Sequence, residues 1–299
     1  MHAKRWKRNS VLYLFLLPAL LYYAIFNYGP MYGTVIAFMD YNPFRGIAES
    51  PWVGLRHFYA FFDSIYFFRL IRNTFLLGAY SIVFGFAVPI VFALLLNEMN
   101  KGKLRSVFQS ISYLPHFIST VVVAGLIVTF LSPSTGVVNA LISAAGGQTI
   151  DFMREPGWFR AVYVSSGIWQ QMGWSSIIYF AALSGISPSL YEAADIDGAG
   201  RLDKVWNISL PGILPTIVTM FLLDLGRIMD VGFEKVFLLY NSSTYETADV
   251  LSTYVYRAGL EQQQYSFAAA VGLFNSLITL AFIILFNKLA RRLSGNSLW

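Results

Sequence analysis

Charge-free runs separated by short polar connectors set the pattern of this chain. Val11–Met39, Asn73–Asn97 and Ser106–Ile150 contain no Asp, Glu, Lys or Arg. About 20 consecutive apolar residues cross a ~30 Å hydrocarbon layer as a helix, so each run is long enough for a span. The first is too long for a signal-peptide core and no small-residue cleavage site follows it. It reads as a retained span, bent near Gly29-Pro30. Asp40–Arg72 is polar and aromatic and reads as a loop followed by a short amphipathic helix near Phe58–Leu70. Asn73–Asn97 is the second span. Ser132-Pro133-Ser134 and Gly146-Gly147 interrupt the third run. That leaves a span at Ser110–Leu131 and a short re-entrant or surface helix beyond it. Further spans are expected at Trp158–Leu183, Gly212–Gly232 and Ser266–Leu289. Between the last two lies a wet loop, Phe233–Tyr265, with a helix near Ala248–Leu260. The expected fold is all-α, a polytopic helical membrane protein with six spans. Residues 1–72 form a basic segment, first span and outer loop, residues 73–290 the membrane core, and residues 291–299 a tail.

Composition agrees. The chain is 56% hydrophobic and 12% charged, about half the charge of a soluble domain. Its net charge is +5, but the basic residues sit at span ends rather than on one polar face, which argues against nucleic acid as a partner. Cysteine is absent, which excludes disulfides, a thiol nucleophile and thiolate metal sites. His2, His57 and His116 are scattered, and no metal-ligand cluster or catalytic residue is assigned. His116 reads as structural, bonded to backbone freed near Pro115. With six spans, the larger share of Lys and Arg falls on the side of the N-terminus, the second connector, the Tyr191 region and the tail. Lys4, Arg5, Lys7, Arg8, Lys101, Lys103, Arg105, Arg201 and Lys204 are among them. The positive-inside rule puts both termini in the cytoplasm.

One connector is more patterned than a loop requires. Ser187-Pro188 is a helix start, with a Ser cap and a Pro in the first turn, and Ser189 and Glu192 have capping-box spacing. A short helix through Glu192-Ala193-Ala194 follows. Asp197-Gly198-Ala199-Gly200 reads as a sharp turn with glycine at positive φ. A second amphipathic helix is expected at Arg201–Leu210, ended by Pro211 and Pro215. On physics alone this is either a plain helical hairpin or a docking element.

Glu192-Ala193-Ala194, three residues, Gly198, nine residues, then Ile208-x-Leu210-Pro211 resembles the EAA signature of ABC importer permeases. The segments at 112–119 (SYLPHFIS), 190–194 (LYEAA), 208–216 (ISLPGILPT) and 264–274 (QYSFAAAVGLF) resemble the sugar-type permeases, in particular the LplB-like branch of the maltose-permease group, binding-protein-dependent inner membrane components. The resemblance implies a type I ABC importer permease fold in a bacterial cell membrane, with an EAA coupling loop at 187–215. It implies that Glu192, Ala193, Ala194 and Gly198 contact an ATPase subunit, with Arg201 and Asp203 flanking. The implied partners are a second homologous permease, two ABC ATPase subunits, an extracytoplasmic solute-binding protein and a saccharide. The loop Phe233–Tyr265 reads either as the face that meets the binding protein or as a solvated lid. ATP and Mg would be bound by the ATPase chains, since this chain has no G-x-x-x-x-G-K-[ST] loop.

Charges inside spans mark function by default. Asp224, Arg227 and Asp230 sit at i, i+3 and i+6 in the expected fifth span, near mid-depth. In the fourth, Gly167, Gln170, Gln171 and Trp174 share a face by 3–4 spacing. Amides beside an aromatic plate suit a sugar. The competing readings are a self-neutralising structural triad and ordinary packing aromatics, Trp169 and Trp174. At the level of function, the rivals are an ion-gradient-driven carrier using Asp224 and Asp230, a docking scaffold that moves no solute, and an ABC permease for a non-sugar solute.

Overall fold

The computed structural model describes residues 10–99 and 102–294. Lys4, Arg5, Lys7, Arg8 and Lys101, with the tail beyond Ser294, lie outside the described residues. In chain order the helices are α1 (Ser10–Tyr23), α2 (Gly29–Met31), α3 (Arg56–Phe62), α4 (Phe67–Glu98), α5 (Lys103–Tyr113), α6 (Thr120–Phe130), α7 (Val137–Ala144), α8 (Pro156–Ser184), α9 (Pro188–Ile196), α10 (Arg201–Lys204), α11 (Leu210–Leu225), α12 (Phe233–Leu239), α13 (Tyr245–Ala248), α14 (Leu251–Tyr256) and α15 (Tyr265–Ser294). Among the described residues, extended pairing is confined to an isolated bridge between Met39 and Trp52. The all-α fold is as the charge-free runs imply.

The chain divides into two compact units, residues 1–64 with 255–274, and residues 65–254 with 275–299. In the first, α1 runs through a π-turn (Ala24–Tyr28) into α2 and a 3-10 segment (Tyr32–Phe38). The π-turn sits just before Pro30, whose missing N–H removes a donor from the helical ladder. Ala37, Phe58 and Ala270 form the buried centre of this unit, and Phe267 and Phe274 meet Phe61 edge-on.

The second unit is built on α4 and α8, which pack along one another. One buried cluster joins Leu77, Phe159, Tyr163, Val231 and Val236. Another joins Ile90, Ala93, Tyr179, Leu183 and Ile213. Among the described residues, four helical runs are long and apolar enough to cross a membrane: Tyr13–Phe38, Phe67–Glu98, Arg201–Leu225 and Tyr265–Leu289. A fifth arises if the pair Lys103–Phe117 and Thr120–Phe130 is counted as one. Expected as the fourth span, α8 has 29 residues, long enough at ~1.5 Å per residue. Its serines and glutamines keep it less apolar than the others.

Four local expectations need correction. The amphipathic helix near Phe58–Leu70 is two helices, because α3 ends at Phe62 and α4 begins at Phe67. The third span is not straight. Its halves meet at 101°, where Pro115 opens a 3-10 turn and Ser119 restarts the helix by accepting a bond from the Val122 N–H. Pro211 and Pro215 do not end a helix. A π-turn at Val205–Ser209 links α10 to α11, and the run is continuous from Arg201 to Leu225. Pro211 lies in the first turn after the π-turn, and its absent N–H is accommodated there. Finally, Ser189 is inside α9 rather than capping it. Ser187 holds the cap position, and its hydroxyl pairs with that of Ser189 at 2.8 Å.

Candidate functional site

A cavity of about 430 Å³ opens in the second unit. Gly78, Ser81, Gly85 and Phe86 of α4 form one wall, and Tyr163, Gly167, Gln170 and Gln171 of α8 another. Asp224, Arg227 and Asp230 close it from the end of α11 and the turn beyond, with Glu234 and Lys235 of α12 alongside. Six of the seven expected path residues, Gly167, Gln170, Gln171, Asp224, Arg227 and Asp230, therefore converge on one space. Trp174 does not reach it. It lines an adjoining depression that also includes Asp224, and its ring stacks flat on His116, with centroids 4.3 Å apart.

The two glutamines differ in what they do. Gln170 is buried, and its Nε2 donates to the Ile118 carbonyl at 3.0 Å. That carbonyl lies at the break between α5 and α6, where the helical ladder cannot use it. Gln171 is exposed, and its Oε1 lies 2.9 Å from His116 Nδ1. So His116 meets a side chain of the cavity wall, not the freed backbone. Gly173 makes this packing possible, since a Cβ there would stand 2.1 Å from the Ser112 carbonyl oxygen.

The three charged residues do not lie on one helix. Helix α11 stops at Leu225, and Gly226 begins a run of turns. The Arg227 N–H donates to the Asp224 carbonyl at 2.9 Å, and the Asp230 N–H to the Arg227 carbonyl at 2.8 Å. Among the described residues, ion pairs join Arg69 to Asp249 and Lys204 to Asp195. Arg227 lies within ion-pair distance of neither Asp224 nor Asp230. The turn is seated against α4 at Gly78.

Sequence reasoning missed Lys235, which it placed in a wet loop. It is buried on α12, its Nζ donates to the Tyr163 carbonyl at 2.9 Å, and it stands 4.8 Å from the centre of that ring. Burial pushes its pKa down to about 8. The signal available was a lysine set among Phe233, Val236 and Leu239 at helical spacing.

The EAA hairpin has the expected turn. Gly198 takes φ +75°. The Ala199 N–H bonds the Ala194 carbonyl at 2.9 Å and the Gly198 N–H bonds that of Asp195 at 3.2 Å, the two-bond Schellman ending of a helix. Asp203 then starts α10 by accepting from the Gly200 N–H at 2.9 Å. Lys204 pairs with Asp195, and Tyr191 Oη bonds Ser209 Oγ at 2.9 Å. Glu192, Ala193, Gly198, Arg201 and Asp203 are exposed, and Ala194 is half-buried. Ile196, Leu202 and Trp206 are largely exposed on the same hairpin. Among the described residues no group of three His, Cys, Asp or Glu is placed to hold a metal.

Comparison with known proteins places this geometry. The chain is 44% identical over 98% of its length, and 91% of the relative's, to the polygalacturonan/rhamnogalacturonan transport system permease protein YteP of Bacillus subtilis. It is 42% identical to the protein LplB of the same organism, covering 98% of this chain and 92% of that one. A solved bacterial ABC transporter involved in the import of the acidic polysaccharide alginate contains a chain 46% identical to this one. The two superpose with a TM-score of 0.90, over 97% of this chain and 98% of that one. A second structure, the alginate transporter with an alginate pentasaccharide-bound periplasmic protein, matches at 45% identity and TM-score 0.90 over 99% of both chains. Residues 85–295, from the cavity wall of α4 through the EAA hairpin to the end of α15, match the family described as binding-protein-dependent transport system inner membrane component. This chain belongs to that family: it is a multi-pass permease subunit of an ABC importer, with the type I permease fold.

Proposed function

We propose that this chain forms half of the membrane pathway of an importer for an acidic oligosaccharide. The observation that carries the reading is the convergence of Gln171, Asp224, Arg227 and Lys235 on one cavity, whose α11 wall is continuous with the EAA hairpin. The substrates of similar proteins, polygalacturonan, rhamnogalacturonan and alginate, support an acidic saccharide, and Arg227 and Lys235 supply cationic donors for it. Amides, carboxylates and cations together offer the donors and acceptors that sugar hydroxyls need.

In this reading α8 also crosses the membrane, as the fourth of six spans, both termini are cytoplasmic, and a second, homologous permease completes the path. Two ATPase subunits bind ATP and Mg and engage Glu192, Ala193, Ala194 and Gly198, with Arg201 and Asp203 at the rim of the contact. An extracytoplasmic binding protein delivers the saccharide. Closure of the ATPase pair displaces the hairpin, and the helices switch between two packed arrangements as rigid bodies. This chain forms and breaks no covalent bond. The test is uptake of labelled oligouronate by proteoliposomes holding the full assembly. Uptake that requires ATP and the binding protein is expected. Uptake driven by an ion gradient without ATP would replace this reading with a secondary carrier using Asp224 and Asp230. Binding-protein-stimulated ATP hydrolysis coupled to a non-sugar solute would replace only the substrate class.

A further inference from the structure

We infer that Lys235 is the specificity-determining residue of this cavity, the group that reads the saccharide carboxylate; this rests on the acidic-saccharide reading above. Lys235 is 9% exposed, so its ammonium has little water around it. An ammonium carries three donors. One goes to the neutral carbonyl of Tyr163. Among the described residues no carboxylate lies within ion-pair distance of it. The other charged groups on the same cavity are Asp224, Arg227, Asp230 and Glu234. Arg227, Asp230 and Glu234 are exposed, and Asp224 is half-buried at the end of α11. A buried cation without a counter-ion is costly, and an anion that arrives beside it relieves that cost. A hydroxyl accepts the same hydrogen bond but brings no charge, so the position favours a uronate over its neutral counterpart.

Access to the ammonium depends on a second residue. Gly167 sits inside α8, where glycine is unfavourable in a helix. A Cβ at 167 would stand 3.4 Å from Lys235 Nζ, so any larger side chain would cover the ammonium. Its pKa of about 8 leaves it largely charged at neutral pH. Lys235 and Gly167 thus act as a pair, one supplying the charge and the other leaving it open.

The test uses the complete importer in proteoliposomes, with trimers of galacturonate and of mannuronate and the same trimers with carboxyls reduced to alcohols. Lys235→Gln is expected to lower kcat/KM for the uronate at least about tenfold while the reduced trimer changes less than about twofold. Lys235→Arg is expected to restore uronate uptake to within about threefold of wild type. Gly167→Val is expected to reproduce the selective loss. The salt dependence of KM for the uronate is expected to flatten in Lys235→Gln, a change that damaged packing would not produce. Equal losses on both sugars with an unchanged salt slope would overturn the assignment, as would unaltered uronate uptake. Wild-type uptake of the reduced trimer alone would overturn the acidic reading and leave saccharide import standing. Uptake of neither would overturn the saccharide reading itself.

Discussion

A Cβ on Gly78 would stand 1.8 Å from the carbonyl oxygen of Ile228. The turn that carries Arg227 and Asp230 therefore rests directly on the backbone of α4, with Ile228 and Met229 buried beneath it. Gly78→Ala is expected to push the turn off α4 at a cost of about 1–3 kcal/mol. Thermal unfolding of the detergent-purified assembly should show a lowered midpoint together with weakened uptake. Gly125→Ala, at a position with nothing within 4 Å of the added carbon, should leave both unchanged or slightly raise stability.

Gly198 holds φ +75° with open space around it. Its replacement therefore acts through the backbone, at about 1–2 kcal/mol for a branched residue. Gly198→Val is expected to preserve membrane insertion while ATP hydrolysis no longer drives uptake. Gly198→Asn, which tolerates the left-handed region, should retain most transport. The ratio of solute moved to ATP hydrolysed is the measurement. Normal coupling in Gly198→Val would remove this turn from the ATPase contact.

The adjacent glutamines should separate. Gln171→Ala and Asp224→Ala are expected to raise KM for the saccharide about tenfold, the scale of a lost hydrogen bond in a cavity, with assembly intact. Gln170→Ala instead strands the Ile118 carbonyl. It is expected to cost about 1–3 kcal/mol of stability with little change in KM. Kinetics that move for Gln170→Ala but not for Gln171→Ala would reverse their roles.

Asn73 is fully buried at the outset of α4. Its Nδ2 donates to the carbonyls of Glu246 and Asp249 at 2.9 and 3.1 Å, and its Oδ1 accepts from Arg160 at 2.9 Å. Asn73→Ala removes three buried hydrogen bonds, although the Glu246 carbonyl keeps its bond from Arg72 at 3.2 Å, a loss of at least about 2 kcal/mol. Reduced expression and a lower unfolding midpoint are expected, with specificity between sugars unchanged. Arg69, paired with the buried Asp249 at 3.6 Å, belongs to the same structural set.

What the residues reveal in advance follows the range of the forces involved. The charge-free runs give the spans because solvation by lipid acts on every residue alike. The Schellman turn at Gly198 is legible because its bonds lie within six residues. The break in the third span is less so. Pro115 and Ser119 mark it locally, but nothing in their spacing gives the 101° angle or the close approach of Ser112 to Gly173, 61 residues on in the chain. The placement of Asp224, Arg227 and Asp230 on one helix failed because periodicity cannot see that α11 ends at Leu225 and that the turn beyond it rests on α4 at Ile228. Lys235 was hidden because its acceptor, Tyr163, is 72 residues away in the chain, and a lysine near a span end ordinarily reads as solvated.

The π-turn at Val205–Ser209 has a consequence in rotation. Successive residues of an α-helix advance by about 100°, and a π-turn holds one residue more than an α-turn. Deleting a single residue there would let the backbone close into plain α-helix, leaving the rod from Arg201 to Leu225 intact but a little shorter. Roughly five residues of the wider turn cover the same angle as about four of an α-helix, so every position beyond the deletion would keep its azimuth relative to the hairpin, and Asp224 its phase with α8. A deletion inside the regular helix of α11, before Asp224, would instead turn Asp224 by about 100°. The π-turn is thus the place next to the EAA turn where the chain can lose a residue without rotating the cavity wall.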